Sequence, residues 1–569
     1  MKIIWFAVLG GVAVLGAPFA VRAQSAQDIE RAQQQSQQII QQQQQQDRLR
    51  REQEELRQHT PSGESLNPLP AAPAAPAGKA ACSFVKAIDL DGATRIDSAT
   101  KAALVKPYLD KCLSLVDINR LIADVTNAYI ERGFVTTRIY IPQQNVGSGT
   151  LSLKVVEGRV ESIRLEPPGS ASLVTAFPGI VGSVLNLRDL EQGTDQINRL
   201  TSNTSHIDIA PGSEPGESVL LVKDEVRKRW LVSAGMDNSG SASTGYDTTT
   251  LSASADDFAG WNDYFNLSAR HSEAGVDSER HSDGGSVYWN VPYGYWNFSA
   301  AVNAFHYGSV VNSQATSFDT DGTSNEETFK AERMLYRDQS IKWGASADLT
   351  LKQTWNAIAG ERIVASSADL SLLDVGTNVT WARPGTLFSV NAGFTAGMDG
   401  LGATEDEADR PTGAPRAQYV KSTYGASLLQ LFRMGELPLS LQSSLYGQHS
   451  SEPLYGTEQL AIGSLYSVRG FRLDSLSGST GFYERNDLGI PLTLARVFGH
   501  GMPEGQIRPY VGLDYGRVNG VGSLDGWTLG VDVNYSRVSV QLAYSQPISA
   551  PSFLPNEHDW LFGRISVTY

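Results

Sequence analysis

The sequence predicts a mainly β protein whose larger, C-terminal part, residues 229–569, closes into a transmembrane barrel. Two observations carry this. Short runs there alternate apolar and polar residues without helical interruption, and the chain opens on an export leader. No later apolar stretch is long enough for a spanning helix, which is compatible with a barrel. The alternation is plainest near the end. Trp527, Leu529, Val531, Val533 and Tyr535 share one face, and Thr528, Gly530, Asp532 and Asn534 the other. Val538, Val540, Leu542 and Tyr544 repeat the pattern, as do Leu561, Gly563, Ile565, Val567 and Tyr569. Period two means strands with two different environments. A water-soluble sandwich shows the same alternation. Many such strands without a helical interruption fit a closed barrel better, because closure pairs every backbone group in lipid.

Taken in order, residues 1–23 read as a secretory leader. Lys2 gives the positive start, Ile3–Ala20 the apolar core, and Ala23 the small residue before cleavage. An inner-membrane anchor is the alternative, weakened by Gly10, Gly11, Gly16 and Pro18. Residues 24–59 are rich in Gln, with sparse Ile29, Ile39, Ile40, Leu49 and Leu56. Such a segment suits a helix in a wet, polar surrounding such as a barrel lumen. A disordered Gln-rich tail is the simpler reading of the pattern alone. Residues 60–79 form a linker stiffened by Pro61, Pro68, Pro70, Pro73 and Pro76.

Residues 80–156 and 157–225 read as two small mixed domains. In the first, Phe84–Leu90 is a strand, Ala99–Leu109 a helix capped by Ser98, and a second helix starts at Asp117 and stops at Gly133. Phe134–Ile141 and Thr150–Val156 complete it. The second partly repeats the order, with Asn186 capping a helix that buries Leu187, Leu190, Ile197 and Leu200. Cys82 and Cys112 are the only cysteines. In an exported domain they predict a disulfide, with two buried thiols as the alternative. Asp189 and Glu191 read as solvent-facing, and no catalytic constellation, cofactor motif or metal-ligand set is apparent. A net charge of −15 argues against a nucleic-acid binder.

In the barrel, roughly 21 residues per strand and connection give about 16 strands, an even number as expected. Tyr288, Trp289, Tyr293, Tyr295 and Trp296 suggest an interfacial aromatic belt, with ordinary strand-end aromatics of a soluble sheet as the alternative for each taken singly. Residues 451–479 form one long loop containing Val468-Arg469-Gly470-Phe471. In the later strand Ile507–Gly516, alternation points Asp514 inward, between Gly512 and Gly516, which leave room for an incoming loop. An arginine at a solvated loop tip is the alternative to an Arg469–Asp514 pair.

These motifs resemble the two-partner secretion transporters, outer-membrane proteins within the wider superfamily of assembly and transport barrels. Val468–Phe471 matches that superfamily's signature loop, and Gly512-Leu513-Asp514-Tyr515-Gly516 its partner strand. Asn186–Gly193, Ile197–Leu200 and Ile207–Gly212 resemble the group's second periplasmic domain. The resemblance implies a 16-stranded barrel, two POTRA domains, a plug helix at 24–59 and a Cys82–Cys112 bridge. It implies a loop folded back into the lumen and held by Val468, Arg469, Gly470, Phe471, Gly512, Asp514 and Gly516. It also implies a substrate groove bordered by Arg188, Asp189, Gln192, Asn198, Arg199 and Leu200. The expected partners are a large secreted exoprotein and outer-membrane lipid, and the expected form is a monomeric pore with periplasmic POTRA domains. A barrel-assembly factor is the second function of the same superfamily. A passive porin leaves the two small domains unexplained.

Overall fold

The computed structural model describes residues 82–274, 277–312, 317–472, 475–499, 505–554 and 559–569. The leader, the 24–59 segment and the linker lie outside the described residues.

The first small domain packs a three-stranded sheet against helices. Ala87–Asp91 runs parallel to Thr150–Val156, which pairs antiparallel with Arg138–Tyr140. The helix Leu115–Glu131 buries Leu121, Val125, Ala128 and Tyr129, the spacing of one helical face. Its N-cap is Ser114 rather than Asp117. The Ser114 side chain accepts from the Asp117 amide, and Asp117 accepts back from the Ser114 amide. This capping box starts the helix earlier than the apolar pattern does. The preceding helix spans Ser98–Val105 and is capped by Asp97, not Ser98. Pro107 then sits in a 3-10 turn.

Cys82 and Cys112 are bridged, with Cα atoms 5.3 Å apart. The bond sits beside the short ladder of Ser83–Val85 with Lys111–Leu113. Closing a loop of this separation constrains the unfolded chain by about 3.6 kcal/mol. We expect Cys82→Ser with Cys112→Ser to lower the urea midpoint of this domain in the full chain, read by limited proteolysis. An unchanged midpoint contradicts the expectation.

At the domain junction, the Glu157 carboxylate accepts from the Thr94 and Arg95 amides at 2.6 and 2.8 Å and from Tyr129 Oη at 2.7 Å. Burial alone would raise this carboxyl; the hydrogen bonds outweigh it and hold it below its ordinary range. The Leu187 amide donates to the Gly133 carbonyl at 2.8 Å, so the second helix starts against the end of the first domain.

The second small domain repeats the sheet. Arg159–Glu166 runs parallel to Glu217–Val226, which pairs antiparallel with Asn203–Pro211. Its helix, Leu187–Asn198, is capped by Asn186, whose side chain accepts from the Arg188 amide. Val160, Leu190, Ile197, Ile207, Leu220 and Val222 form the core.

Sixteen long antiparallel strands then close into a barrel. Two two-residue strands, Glu361–Arg362 and Leu492–Thr493, extend it. The seam joins Trp560–Thr568 to Trp230–Asp237. Alternation sorts the side chains. In Gly505–Val518, Val511 and Leu513 lie exposed on the outside, whereas Asp514 is buried inside. Exposed Leu529, Leu561, Ile565 and Val567 continue the apolar outer face. Lipid is the environment in which such a face costs nothing. Tyr293 and Trp296 are exposed at one end, as a belt requires. Tyr288 and Tyr295 do not belong to it. Tyr288 has the inward parity of Ser286 and Asn290 and packs on Tyr264, and Tyr295 is held by the second small domain.

Candidate functional site: a loop locked inside the barrel

The long loop links the strands Leu437–Ser450 and Gly481–Gly489 and turns back into the barrel. Its two arms form a small hairpin, Leu460–Ile462 with Leu476–Gly478. The tip is a tight turn in which the Ser464 amide donates to the Val468 carbonyl at 3.1 Å. Val468 and Phe471 are fully buried with Leu460, Ile462, Leu476, Tyr483, Val518 and Leu524.

Between those two apolar residues, Arg469 points at the barrel wall. Its Nε donates to Asp514 Oδ2 and its Nη2 to Asp514 Oδ1, both at 2.6 Å. The Arg469 amide adds a bond of 3.0 Å to Asp514 Oδ2, and Nη2 also reaches Asp487 Oδ1 at 2.6 Å. The Arg469 side chain is 2% exposed and the Asp514 side chain 0%. The planar guanidinium thus fills a two-pronged carboxylate seat with a second carboxylate beside it.

Glycines make the approach possible. A Cβ on Gly512 would stand 2.4 Å from Arg469 Nη2, and one on Gly516 2.8 Å from Val468. Gly470 has φ +101° and lies against the Gln546 backbone, a position closed to other residues. The structure therefore brings Val468, Arg469, Gly470, Phe471, Gly512, Asp514 and Gly516 into one contact. Sequence reasoning missed Asp487, which faces Gly512 across the strand pair, and Gly526, whose bare backbone accommodates the Arg469 carbonyl.

A second anchor lies at the loop's entry. Glu458 is buried against another stretch of the wall. It accepts from Lys352 Nζ at 2.6 Å, Lys421 Nζ at 2.5 Å and Tyr419 Oη at 2.8 Å. Lys352 also approaches Glu326 at 3.3 Å. Beside this anchor runs a polar cavity lined by Glu326, Glu332, Asp348, Asp374, Asn378 and Asn391, among others.

The second small domain plugs its helix into the barrel's near-side turns. Gln192 and Gln196 both donate to the Gly294 carbonyl, at 3.0 and 2.9 Å. Arg199 donates to Asn290 Oδ1 and, at 2.6 Å, to the Asn262 carbonyl. Tyr295 Oη donates to Asp189 at 2.7 Å. Arg337 and Lys342 reach Asp195 at 2.9 and 2.8 Å. The helix expected to border a substrate groove lies here against the barrel. Gln192, Arg199 and Leu200 are buried, Asp189 is bonded to the barrel, and Asn198 is tied to Ser205 within its own domain. Arg188 pairs with Glu191 on the same helix, and Arg337 approaches Glu191, so the two carboxylates expected in solvent face partners instead. In this state the helix is an interface with the barrel.

The family profile described as haemolysin secretion/activation protein ShlB/FhaC/HecB matches residues 216–533. The chain belongs to that family. Profiles for ShlB-type and general POTRA domains match residues 84–158 and 159–211 of this family member. The outer membrane transporter CdiB of Dickeya dadantii is 32% identical over 510 residues, spanning 88% of this chain and 89% of that one. The hemolysin transporter protein ShlB of Serratia marcescens is 31% identical over 526 residues, 91% of each chain. Among solved structures, CdiB from Escherichia coli superposes with a TM-score of 0.82 at 28% identity, covering 97% of this chain and all of that one.

Proposed function

We propose that this ShlB/FhaC/HecB-family protein is a non-enzymatic pore of the outer membrane that passes a large partner exoprotein from the periplasm to the cell surface. The POTRA domains stand in the periplasm and the barrel spans the lipid. One observation carries the reading: a wide barrel with a polar interior, joined to two POTRA domains and holding an inward-folded loop at Arg469–Asp514. A passive porin needs neither the domains nor the loop. The assembly-factor alternative shares the loop, but the family match favours secretion.

The exposed edge strand Arg138–Tyr140 of the first POTRA domain, with Tyr140 and Ile141 exposed, suits capture of an unfolded segment by strand addition. The loop and the Gln-rich segment 24–59 together seal the lumen at rest in this account. The test of function is co-expression with a large exoprotein of the two-partner secretion type, in cells lacking both. Exoprotein reaches the medium only with the transporter present; equal release without it contradicts the reading. Deletion of residues 24–59 is expected to raise single-channel conductance in planar bilayers while the barrel stays folded. Unchanged conductance removes the plug from the account.

A further inference from the structure

The barrel carries a cluster of imidazoles on its outer face, away from the translocation path. Three neighbouring strands, Tyr264–Ala274, Asp277–Tyr293 and Trp296–Asn312, set His271, Asp283 and His306 in one row. His271 pairs with Asp283, and Asp283 with His306, in the strand register. His281 stands two residues along from Asp283 on the same face. The outward direction follows from parity. His271 alternates in phase with exposed Leu267, Asp283 with exposed Val287, and His306 with exposed Val302.

The donor atoms converge. One ligand atom from each of His281, Asp283 and His306 lies within 4.8 Å of the other two. Asp283 Oδ2 is 3.8 Å from His281 Nε2, and the rings of His281 and His306 are 5.2 Å apart. His271 Nδ1 shares a hydrogen bond of 2.8 Å with Asp283 Oδ1, the kind of outer contact that orients a metal-binding carboxylate. Gly308, opposite His281, keeps the space open, since a Cβ there would lie 2.8 Å from the imidazole. Two imidazoles and one carboxylate, with the fourth position left to water or to His271, are the donor set of a tetrahedral zinc-like site. Ligand atoms in such a site are about 3.3 Å apart at bond lengths of about 2.0–2.1 Å. Small rotations of the exposed Asp283 and His306 side chains close the remaining distance.

The position admits ions from the medium. Tyr293 and Trp296 mark the periplasmic end of these strands, beside the POTRA contact at Gly294. His281 lies a dozen residues farther up, about 40 Å of strand, or about 30 Å along the membrane normal at barrel tilt. That is above a lipid band about 25 Å tall. We propose that His281, Asp283 and His306 bind a divalent transition-metal ion, of zinc type, on the outer surface of the barrel near its extracellular rim. The ion would staple adjacent strands at that rim. The sequence named no metal ligands because His306 joins His281 and Asp283 only through strand register.

The test is calorimetric titration of tag-free, chelator-treated full-length protein in detergent with zinc chloride. We expect one site with a dissociation constant of about 1 µM or tighter. The affinity should fall at least about tenfold in His281→Ala/His306→Ala, with His206→Ala and His449→Ala binding like wild type. Heat-modifiable migration on gels checks that each barrel is folded. If the double variant does not fold, Asp283→Asn is titrated in its place and should show the same loss. No uptake by the wild type at about 100 µM zinc, or wild-type affinity in the folded site variants, overturns the proposal.

Discussion

Arg469→Ala is expected to reduce secretion by at least about tenfold while the barrel folds and inserts normally. Asp514→Ala is expected to do the same. The wall position of Asp514 and the loop position of Arg469 share two charge-assisted bonds and an amide contact in a buried pocket. Removing Arg469 leaves both Asp514 and Asp487 without their shared guanidinium, and breaking a buried pair costs about 3–5 kcal/mol. Here that cost falls on the docked loop rather than on the strands, whose ladders stay intact. Arg469→Lys should behave like Arg469→Ala, since one ammonium cannot fill the Asp514 seat and reach Asp487 together. Asp487 provides partial compensation when Asp514 is lost, so Asp514→Ala with Asp487→Ala should be the most severe carboxylate variant. Secretion normalised to folded transporter gives the readout, and a double-mutant cycle gives the coupling. Additive effects of Arg469→Ala and Asp514→Ala contradict the lock.

Glu458→Ala should produce the second large effect. It leaves the buried ammonium groups of Lys352 and Lys421 facing each other without the carboxylate that joins them. The loop's entry should detach from the wall, raising conductance and exposing the loop to protease added from outside. Lys352 keeps Glu326, so Lys421 is the cation left without a carboxylate. Adding Lys421→Met to Glu458→Ala removes that charge and should restore part of the loss, because an apolar replacement of a whole buried pair is often close to neutral. If the double variant is no better than Glu458→Ala alone, the anchor does not work through charge compensation.

How far the sequence reached depended on the range of each interaction. The barrel was legible because lipid outside and polar lumen inside print a period of two directly onto each strand. Asp514 was legible by the same parity, and its flanking glycines pointed to a close approach. Glu458 was not, because Lys352 and Lys421 reach it from strands distant in the chain, and only the folded loop brings them together. The contact of the POTRA helix with the barrel was illegible for a related reason. Helical spacing showed that Leu187, Leu190 and Ile197 face the domain core, but nothing local showed that Gln192, Gln196 and Arg199 meet the barrel turn at Gly294 and the strand at Asn290. Asp117 was misplaced by one turn because it is the reciprocal partner of the Ser114 cap, a local signal the apolar pattern masked. The metal-type cluster, likewise, is completed only when register brings His306 beside His281 and Asp283.

The exoprotein is expected to travel through the lumen of this barrel. A photo-crosslinking residue placed at Asn391, which faces the polar cavity, reads this out when an exoprotein stalled by a folded C-terminal fusion is present. Its neighbour Val390 has the opposite parity, is exposed on the outer face and serves as the control. An adduct between exoprotein and transporter should form from Asn391 and none from Val390. An adduct from Val390 alone, or from neither while the stalled exoprotein spans the membrane, would rule out passage through the lumen.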